Sequence, residues 1–198
     1  MIGNGDGTFR LGTTIPGNVE HIATADFNRD GKLDLVTSPG LNVLLGNGDG
    51  TFHQARNSTS VELRPVIAAD MNADGIPDIV TVDHDAFAVF LGNGDGTFQD
   101  GLSTPFKVGG SALVAADFNR DGKLDVAVIE DRGSSVAFPV PVATVFYGRG
   151  DGTFRPPVPI SAGGTVTALS VADMDRNGTP DLIVTGGAGL ITVLLNRP

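Results

Sequence analysis

The chain has 198 residues, 40% of them apolar, with 28 glycines, 12 prolines, no cysteine and a formal net charge of −10. That length and apolar share support a sizeable core, and the absence of a long helical period points to an all-β fold of many short strands. The acidic balance excludes a nucleic-acid partner, which calls for a basic stripe, and the lack of cysteine excludes disulfide staples.

The chain opens on MIGNGDGTFRL, with no basic n-region or apolar h-region of a signal peptide and no membrane-spanning run, so no membrane insertion is expected. The phrase GNGDGTF stands at 3–9, 46–52 and 92–98, and GRGDGTF at 148–154. Its Asn-Gly and Asp-Gly steps are hairpin signals. Phe9, Phe52, Phe98 and Phe154 follow that turn at a fixed place and are expected to plug the space between neighbouring sheets. A second phrase, Asp-x-Asn/Asp-x-Asp/Asn-Gly-x-x-Asp, stands at 26–34 (DFNRDGKLD), 70–78 (DMNADGIPD), 117–125 (DFNRDGKLD) and 173–181 (DMDRNGTPD). Each runs into a short β-branched segment, LDLVTS, PDIVTV, LDVAVI or PDLIVT, which reads as a strand.

The hairpin aspartates are 43, 46 and 56 residues apart, and the first aspartates of the second phrase 44, 47 and 56. The two series share one period, of the size that marks propeller blades. Each unit reads as strand A (ALVAAD, 112–117), the nine-residue loop, strand B, a variable connection, strand C (ATVFYG, 143–148), the GDG hairpin, and strand D from Phe154. At the C-terminus GLITVLLN (189–196) lacks its strand D, while the N-terminal segment lacks its strand C. The expectation is a single domain over 1–198, an all-β β-propeller of four-stranded antiparallel blades, four repeats per chain, with N- and C-terminal strands completing one blade. Joining the same ends between two copies would make a homodimer in which each chain is half of an eight-bladed ring.

The nine-residue phrase also carries chemistry. Side-chain oxygens at positions one, three, five and nine, with the carbonyl of position seven, can surround a cation that wants six to eight oxygens at ~2.3–2.6 Å. The candidate ligands are Asp26, Asn28, Asp30, the Lys32 carbonyl and Asp34; Asp70, Asn72, Asp74, the Ile76 carbonyl and Asp78; Asp117, Asn119, Asp121, the Lys123 carbonyl and Asp125; and Asp173, Asp175, Asn177, the Thr179 carbonyl and Asp181. Glycine at position six (Gly31, Gly75, Gly122, Gly178) suits a sharp bend at positive φ. The twelve-residue helix-loop-helix calcium hand is rejected. Its clamping Glu is replaced by Thr37, Thr81, Val128 or Val184, and strands flank the loops. Asp, Asn and Gly also make ordinary turns, but four copies in one ligand register favour the metal reading. These loops hold twelve of the 23 acidic residues, so about four calcium ions per chain would account for most of the acidity.

With both phrases placed on strands, the chain resembles the FG-GAP repeats (VCBS-type) of the integrin α-subunit propeller and their bacterial and fungal relatives. The resemblance implies a propeller with calcium in the A-to-B hairpins. It departs in number, since such propellers usually have seven blades and this chain encodes four. Function in that family is mostly adhesion or recognition, of protein ligands by integrins and of sugars by a fungal lectin with similar blades. The expected function is a calcium-binding, non-catalytic recognition or adhesion module, exported to the extracellular space or cell surface, with a protein or glycan partner. The alternatives are a carbohydrate-binding propeller lectin and a structural or accessory propeller attached to an enzyme.

No nucleophile-and-base constellation suggests an enzyme. The connections between strands B and C vary most, and the third (IEDRGSSVAFPVPV) is longest. His84, Asp85, Asp131, Arg132 and Phe138 on that face are the candidate partner-binding residues. Arg149-Gly150-Asp151 spells an integrin-recognition tripeptide but occupies a hairpin slot filled elsewhere by Asn-Gly-Asp, and reads as turn. Asn57-Ser58-Thr59 has the form of a glycosylation acceptor. His21, His53 and His84 lack metal-ligand spacing.

Overall fold

The structure, a computed structural model, describes residues 2–54, 65–82, 86–105, 112–129, 143–160, 166–186 and 189–197. Among them every regular element is a β-strand. A short ribbon of β1 (Ile2–Gly3) and β2 (Phe9–Arg10) precedes four antiparallel sheets. The first contains β3 (His21–Ala25), β4 (Asp34–Ser38), β5 (Asn42–Gly46) and β6 (Phe52–Gln54). The second contains β7 (Val66–Ala69), β8 (Asp78–Val82), β9 (Ala86–Phe90) and β10 (Leu102–Pro105). The third contains β11 (Leu113–Ala116), β12 (Asp125–Ile129), β13 (Ala143–Phe146) and β14 (Val158–Ile160). The fourth has three strands, β15 (Val166–Ala172), β16 (Asp181–Gly186) and β17 (Leu190–Leu194). This is the blade architecture of a β-propeller, with strands in simple meander order.

The nine-residue phrase sets the register of every blade. The last residue of the loop is the first of strand B and pairs with the last of strand A: Ala25 with Asp34, Ala69 with Asp78, Ala116 with Asp125 and Ala172 with Asp181. A one-residue slip would turn each strand's apolar set to the wrong face, so a fixed loop fixes which side chains meet the neighbouring sheet. Strand B is buried on both faces in the second and third blades, where DIVTV and DVAVI are covered along their whole length. That explains why these segments read as continuous apolar runs rather than alternating ones.

The core lies between blades. Phe27, Val36 and Val43 of the first blade meet Val66, Ile79 and Phe90 of the second. Val80, Val82, Phe87 and Val89 meet Val126, Val128, Phe146 and Phe154 of the third. Phe118, Ala127 and Val145 meet Leu182, with Leu169, Val171 and Leu194 of the fourth packed alongside. Edge-on aromatic pairs join the sheets: Phe27 to Phe98 at 5.5 Å and Phe87 to Phe154 at 4.7 Å between ring centroids.

The structure differs from the sequence expectation in three places. Strand D of the second and third blades does not run on from its phenylalanine: Phe98 and Phe154 each make an isolated bridge to Gly92 and Gly148, and the ladder resumes at β10 and β14. Phe154 is buried, but Phe9 is 67% exposed, because no blade stands behind the ribbon. The two ends do not complete a blade within this chain. β1 pairs only with β2, and β17 is a sheet edge among the described residues. Where strand C of the other blades enters its hairpin through a glycine, the fourth carries Asn196. Its side-chain amide donates to the Phe118 and Pro180 carbonyls at 2.7 and 3.2 Å. The trailing face of blade four, with Ile191 at 71%, and the leading face of blade one, with Ile22 at 60%, stand open.

Phe87 is buried against both Phe146 and Phe154. Phe87→Ala is expected to cost ~3–5 kcal/mol through the cavity between the second and third blades, read as a lowered midpoint of urea unfolding.

Candidate metal-binding loops

Each A-to-B loop is wound by its own carboxylates. Asp26 accepts the Asp30 and Gly31 amides at 3.0 and 2.8 Å, Asn28 accepts the Asp30 amide at 3.0 Å, and Asp30 accepts the Lys32 amide at 2.9 Å. The same net recurs around Asp70, Asn72 and Asp74, around Asp117, Asn119 and Asp121, and around Asp173, Asp175 and Asn177. The glycines at position six lie at φ of 78 to 82°. The sequence did not single out position four, where Arg29, Ala73, Arg120 and Arg176 also take positive φ, near 60°. The signal for it was the Asn-x-Asp step itself, whose side-chain-to-backbone bonds close such a bend.

Position nine works differently. Asp34, Asp78, Asp125 and Asp181 are fully buried. Each accepts one amide from the second loop residue (Phe27, Met71, Phe118, Met174) at 2.7 to 2.9 Å. Each also accepts one from the end of strand C (Gly46, Gly92, Gly148, Asn196) at 2.7 to 2.9 Å. One side chain thus ties the loop to the neighbouring hairpin. A Cβ at Gly46, Gly92 or Gly148 would lie 2.1 to 2.5 Å from the carbonyl of loop position eight, so the close approach requires glycine.

Burial drives Asp78 and Asp125 above their ordinary value of 3.8. The two amides oppose that shift, and repulsion from the carboxylates at positions five and one adds to it.

The predicted ligands come together unequally. In the fourth loop Asp173, Asp175 and Asp181 place carboxylate oxygens within 4.8 Å of one another, the one such acidic or histidine group among the described residues. Oxygens that close fit on a common sphere, since a calcium shell of ~2.3–2.6 Å radius spans about 5 Å. In the other three loops position three is an amide, and the position-five carboxylate is partly engaged by cations or amides: Asp30 by the Lys32 ammonium at 3.2 Å, Asp74 by Asn72 at 2.8 Å, and Asp121 by Asn119 at 3.3 Å and Arg155 at 3.5 Å. The donor set, all oxygen, fits a hard cation at each loop, and the fourth is the best gathered. The position-seven residues Lys32, Ile76, Lys123 and Thr179 close the loops through their amides. The Lys32, Ile76 and Lys123 side chains press on the hairpin of their own blade, within 3.4 Å of where a Cβ at Gly48, Gly94 or Gly150 would stand.

The hairpins are self-contained. Asp6, Asp49, Asp95 and Asp151 each accept the hydroxyl and the amide of the threonine two residues on, and these bonds hold them below the ordinary carboxylate value. Arg149 bonds the Phe154 carbonyl. The Arg-Gly-Asp tripeptide is therefore a turn whose two charged side chains are both used inside it. His53 faces Asn47 at 3.2 Å. His84, Asp85, Asp131, Arg132, Phe138 and the Asn57 acceptor lie outside the described residues.

The FG-GAP-like repeat pattern matches residues 70–128 and 131–184, more than half the chain. The chain belongs to the FG-GAP-like repeat family. No curated protein matches it by sequence. Among solved structures, an Agrocybe aegerita lectin described for specific recognition of non-reducing terminal N-acetylglucosamine is similar in fold, with a TM-score of 0.58 and 22% identity over 88% of this chain. The chain spans 51% of that lectin's length. Looser matches are the Photorhabdus luminescens Tc holotoxin pore (TM-score 0.47, 20% identity, 93% of this chain and 9% of that one) and the V. cholerae biofilm matrix protein Bap1 (TM-score 0.42, 21% identity, 89% and 38%). No helix among the described residues is long and apolar enough to cross a membrane.

Two outcomes test this geometry. Gly148→Ala forces a methyl against the Leu124 carbonyl and should cost ~1–3 kcal/mol or more, measured by denaturant midpoint. Asp78 and Asp125, held above 3.8 by burial, favour the fold when protonated. Their contribution is present in acid and is lost as pH rises through their folded midpoints. Carboxyl NMR titration of the metal-free FG-GAP-like chain should show both midpoints above 3.8.

Proposed function

We propose that this chain is a calcium-stabilised, non-catalytic recognition or adhesion module that works outside the cell. The observation that carries the metal half of this reading is the convergence of Asp173, Asp175 and Asp181 in a loop whose hydrogen-bond net is repeated in all four blades. Three carboxylates held that close repel one another, and a divalent cation removes the cost. Asp173, Asp175, Asn177 and Asp181 would hold the ion in the fourth loop, with the matching residues of the other three holding theirs. Calcium here is architectural: it neutralises the charge at the bends of successive sheets and stiffens them. Millimolar extracellular calcium fills even weak oxygen sites, which suits a module without disulfides.

The recognition half rests on membership of the repeat family and on a fold in which connections on one side are free to vary. The B-to-C connections emerge opposite the metal loops, and a partner of protein or glycan chemistry would sit there, with Arg132 and Phe138 as contacts. A lectin is the second reading, favoured by the fold likeness to the N-acetylglucosamine-recognising protein. The same blades would serve equally as an accessory to an attached enzyme.

Chelation separates these claims from a plain strand array. Adding EGTA should lower the unfolding midpoint, and calcium at a hundredfold excess over its dissociation constant should restore about 2.7 kcal/mol for each site filled. Asp173→Asn with Asp175→Asn should remove the fourth site's share and leave the rest. A melting curve indifferent to chelator and calcium sinks the metal reading. Glycan-array binding by the isolated chain selects the lectin, and capture of a protein ligand alone selects adhesion.

A further inference from the structure

We propose that Arg120 couples the third and fourth A-to-B loops, so that a divalent cation held in either loop raises the affinity of the other. The inference rests on the metal reading given above and adds communication between two of its sites. Arg120 stands at position four of the third loop and is not itself a candidate ligand. The peptide that follows it is held by candidate ligands: the Asp121 amide donates to Asp117 at 3.1 Å and to Asn119 at 2.9 Å. Its side chain leaves the loop and crosses to the next blade, where the guanidinium donates to the Asn177 carbonyl at 3.0 Å. That carbonyl belongs to the peptide whose other end, the Gly178 amide, donates to Asp173 at 2.9 Å. One peptide of the fourth loop is thus gripped on its oxygen by Arg120 and on its nitrogen by a candidate ligand. A Cβ at Gly178 would stand 2.6 Å from the guanidinium nitrogen, so glycine lets the arginine lie against the chain there.

The coupling follows from what a filled loop holds still. A cation in the third loop fixes Asp117 and Asn119, hence the Asp121 amide and the stem of Arg120. The arginine then steadies the Asn177–Gly178 peptide in the place from which it meets Asp173. Freedom lost in ordering one loop is not lost again in ordering the next, which is positive cooperativity without a change of fold. Charge acts in the opposite sense. Each of the two loops carries three carboxylates, and a dication in one weakens the pull on the second ion. That pull crosses solvent and is screened over ~8 Å at physiological ionic strength. The arginine bond is direct contact, so the net coupling is positive.

The other interfaces supply the comparison. Position four of the first loop is Arg29, whose side chain lies against Gly94 in a hairpin rather than against a loop. Position four of the second loop is Ala73, which shares the positive φ of the arginines but is too short to cross to the next blade. Among the described residues, the step from the third loop to the fourth is the one where a position-four side chain joins loop to loop.

The test follows the Gly75, Gly122 and Gly178 amides by NMR while calcium is added to the 198-residue chain at about 0.15 M salt. Emptying the third loop with Asp117→Asn and Asp121→Asn should weaken calcium at Gly178 about fivefold, and emptying the fourth with Asp173→Asn and Asp175→Asn should weaken it at Gly122 by the same factor, because coupling is reciprocal. In an Arg120→Ala background both factors should fall to one, with the affinity at Gly75 unchanged throughout. A Gly178 site indifferent to the third loop, or a factor that survives Arg120→Ala, overturns the coupling and leaves the metal reading standing. Glycines that no calcium concentration moves overturn both. Should an emptied variant fail to fold, the shape of the titration decides: Gly122 and Gly178 should fill together and more steeply than a single site in the unmodified chain and in Arg29→Ala, and independently in Arg120→Ala. Independent filling in the unmodified chain, or steepness that Arg120→Ala leaves in place, overturns the proposal.

Discussion

The buried carboxylate at the ninth loop position is the contact on which each blade depends. Asp34, Asp78, Asp125 and Asp181 each start a strand B, and each receives one amide from the A-to-B loop and one from the end of strand C. A carboxylate buried without partners would be costly, and charge-assisted bonds from two backbone amides offset much of that cost. The offset is incomplete at Asp78 and Asp125, where burial and the neighbouring aspartates still push the acid form up. What remains is the charge that a cation in the loop would neutralise, so the framework and the candidate metal site are one arrangement.

That arrangement extends from blade to blade. Arg29 of the first loop lies against Gly94 in the second blade's hairpin, the Phe27 carbonyl accepts the Gly96 amide at 3.0 Å, and Arg120 of the third loop donates to the Asn177 carbonyl of the fourth at 3.0 Å. Together with the shared apolar clusters, these bonds make each blade's stability partly a property of its neighbours, as in other repeat arrays. The interior blades are therefore satisfied on both sides, and the end blades on one.

What could be read from the sequence was whatever a local phrase dictates. The Asp-x-Asn-x-Asp-Gly-x-x-Asp spacing predicts a bend with positive φ at Gly31 and a strand over LDLVTS; the bend is found, and the strand runs from Asp34, because bonds within nine residues determine them. The GDG hairpin was equally legible, but not the break after it, where Phe98 and Phe154 make isolated bridges before strand D resumes. Features set by distant groups were not. Phe9 has the same local sequence as Phe154, yet one is exposed and the other buried, since burial depends on whether another blade stands behind it. Asp121 looks like Asp30 in the phrase but faces Arg155, a residue 34 positions away, rather than the lysine of its own loop. Asn196 gave no sign that it would replace a hairpin glycine as the donor to Phe118.

The division of labour between the two sides of the blades follows from where the constraints lie. On the side of the A-to-B loops and GDG hairpins, nearly every polar side chain is committed: aspartates wind loops, threonines close turns, and Gly46, Gly92 and Gly148 leave no room for a Cβ. Substitution there alters register or close packing and so disturbs the whole sheet. The B-to-C connections bear no such duty, because the B–C register is already fixed by the ladder that starts at the buried aspartate. Extra residues in the third unit lengthen its period to 56 without shifting a single pairing in β12 and β13, which run from Val126 opposite Phe146 to Ile129 opposite Ala143. A fold that concentrates its constraints on one face leaves the other able to change composition at little cost in stability, which is the physical condition for a recognition surface.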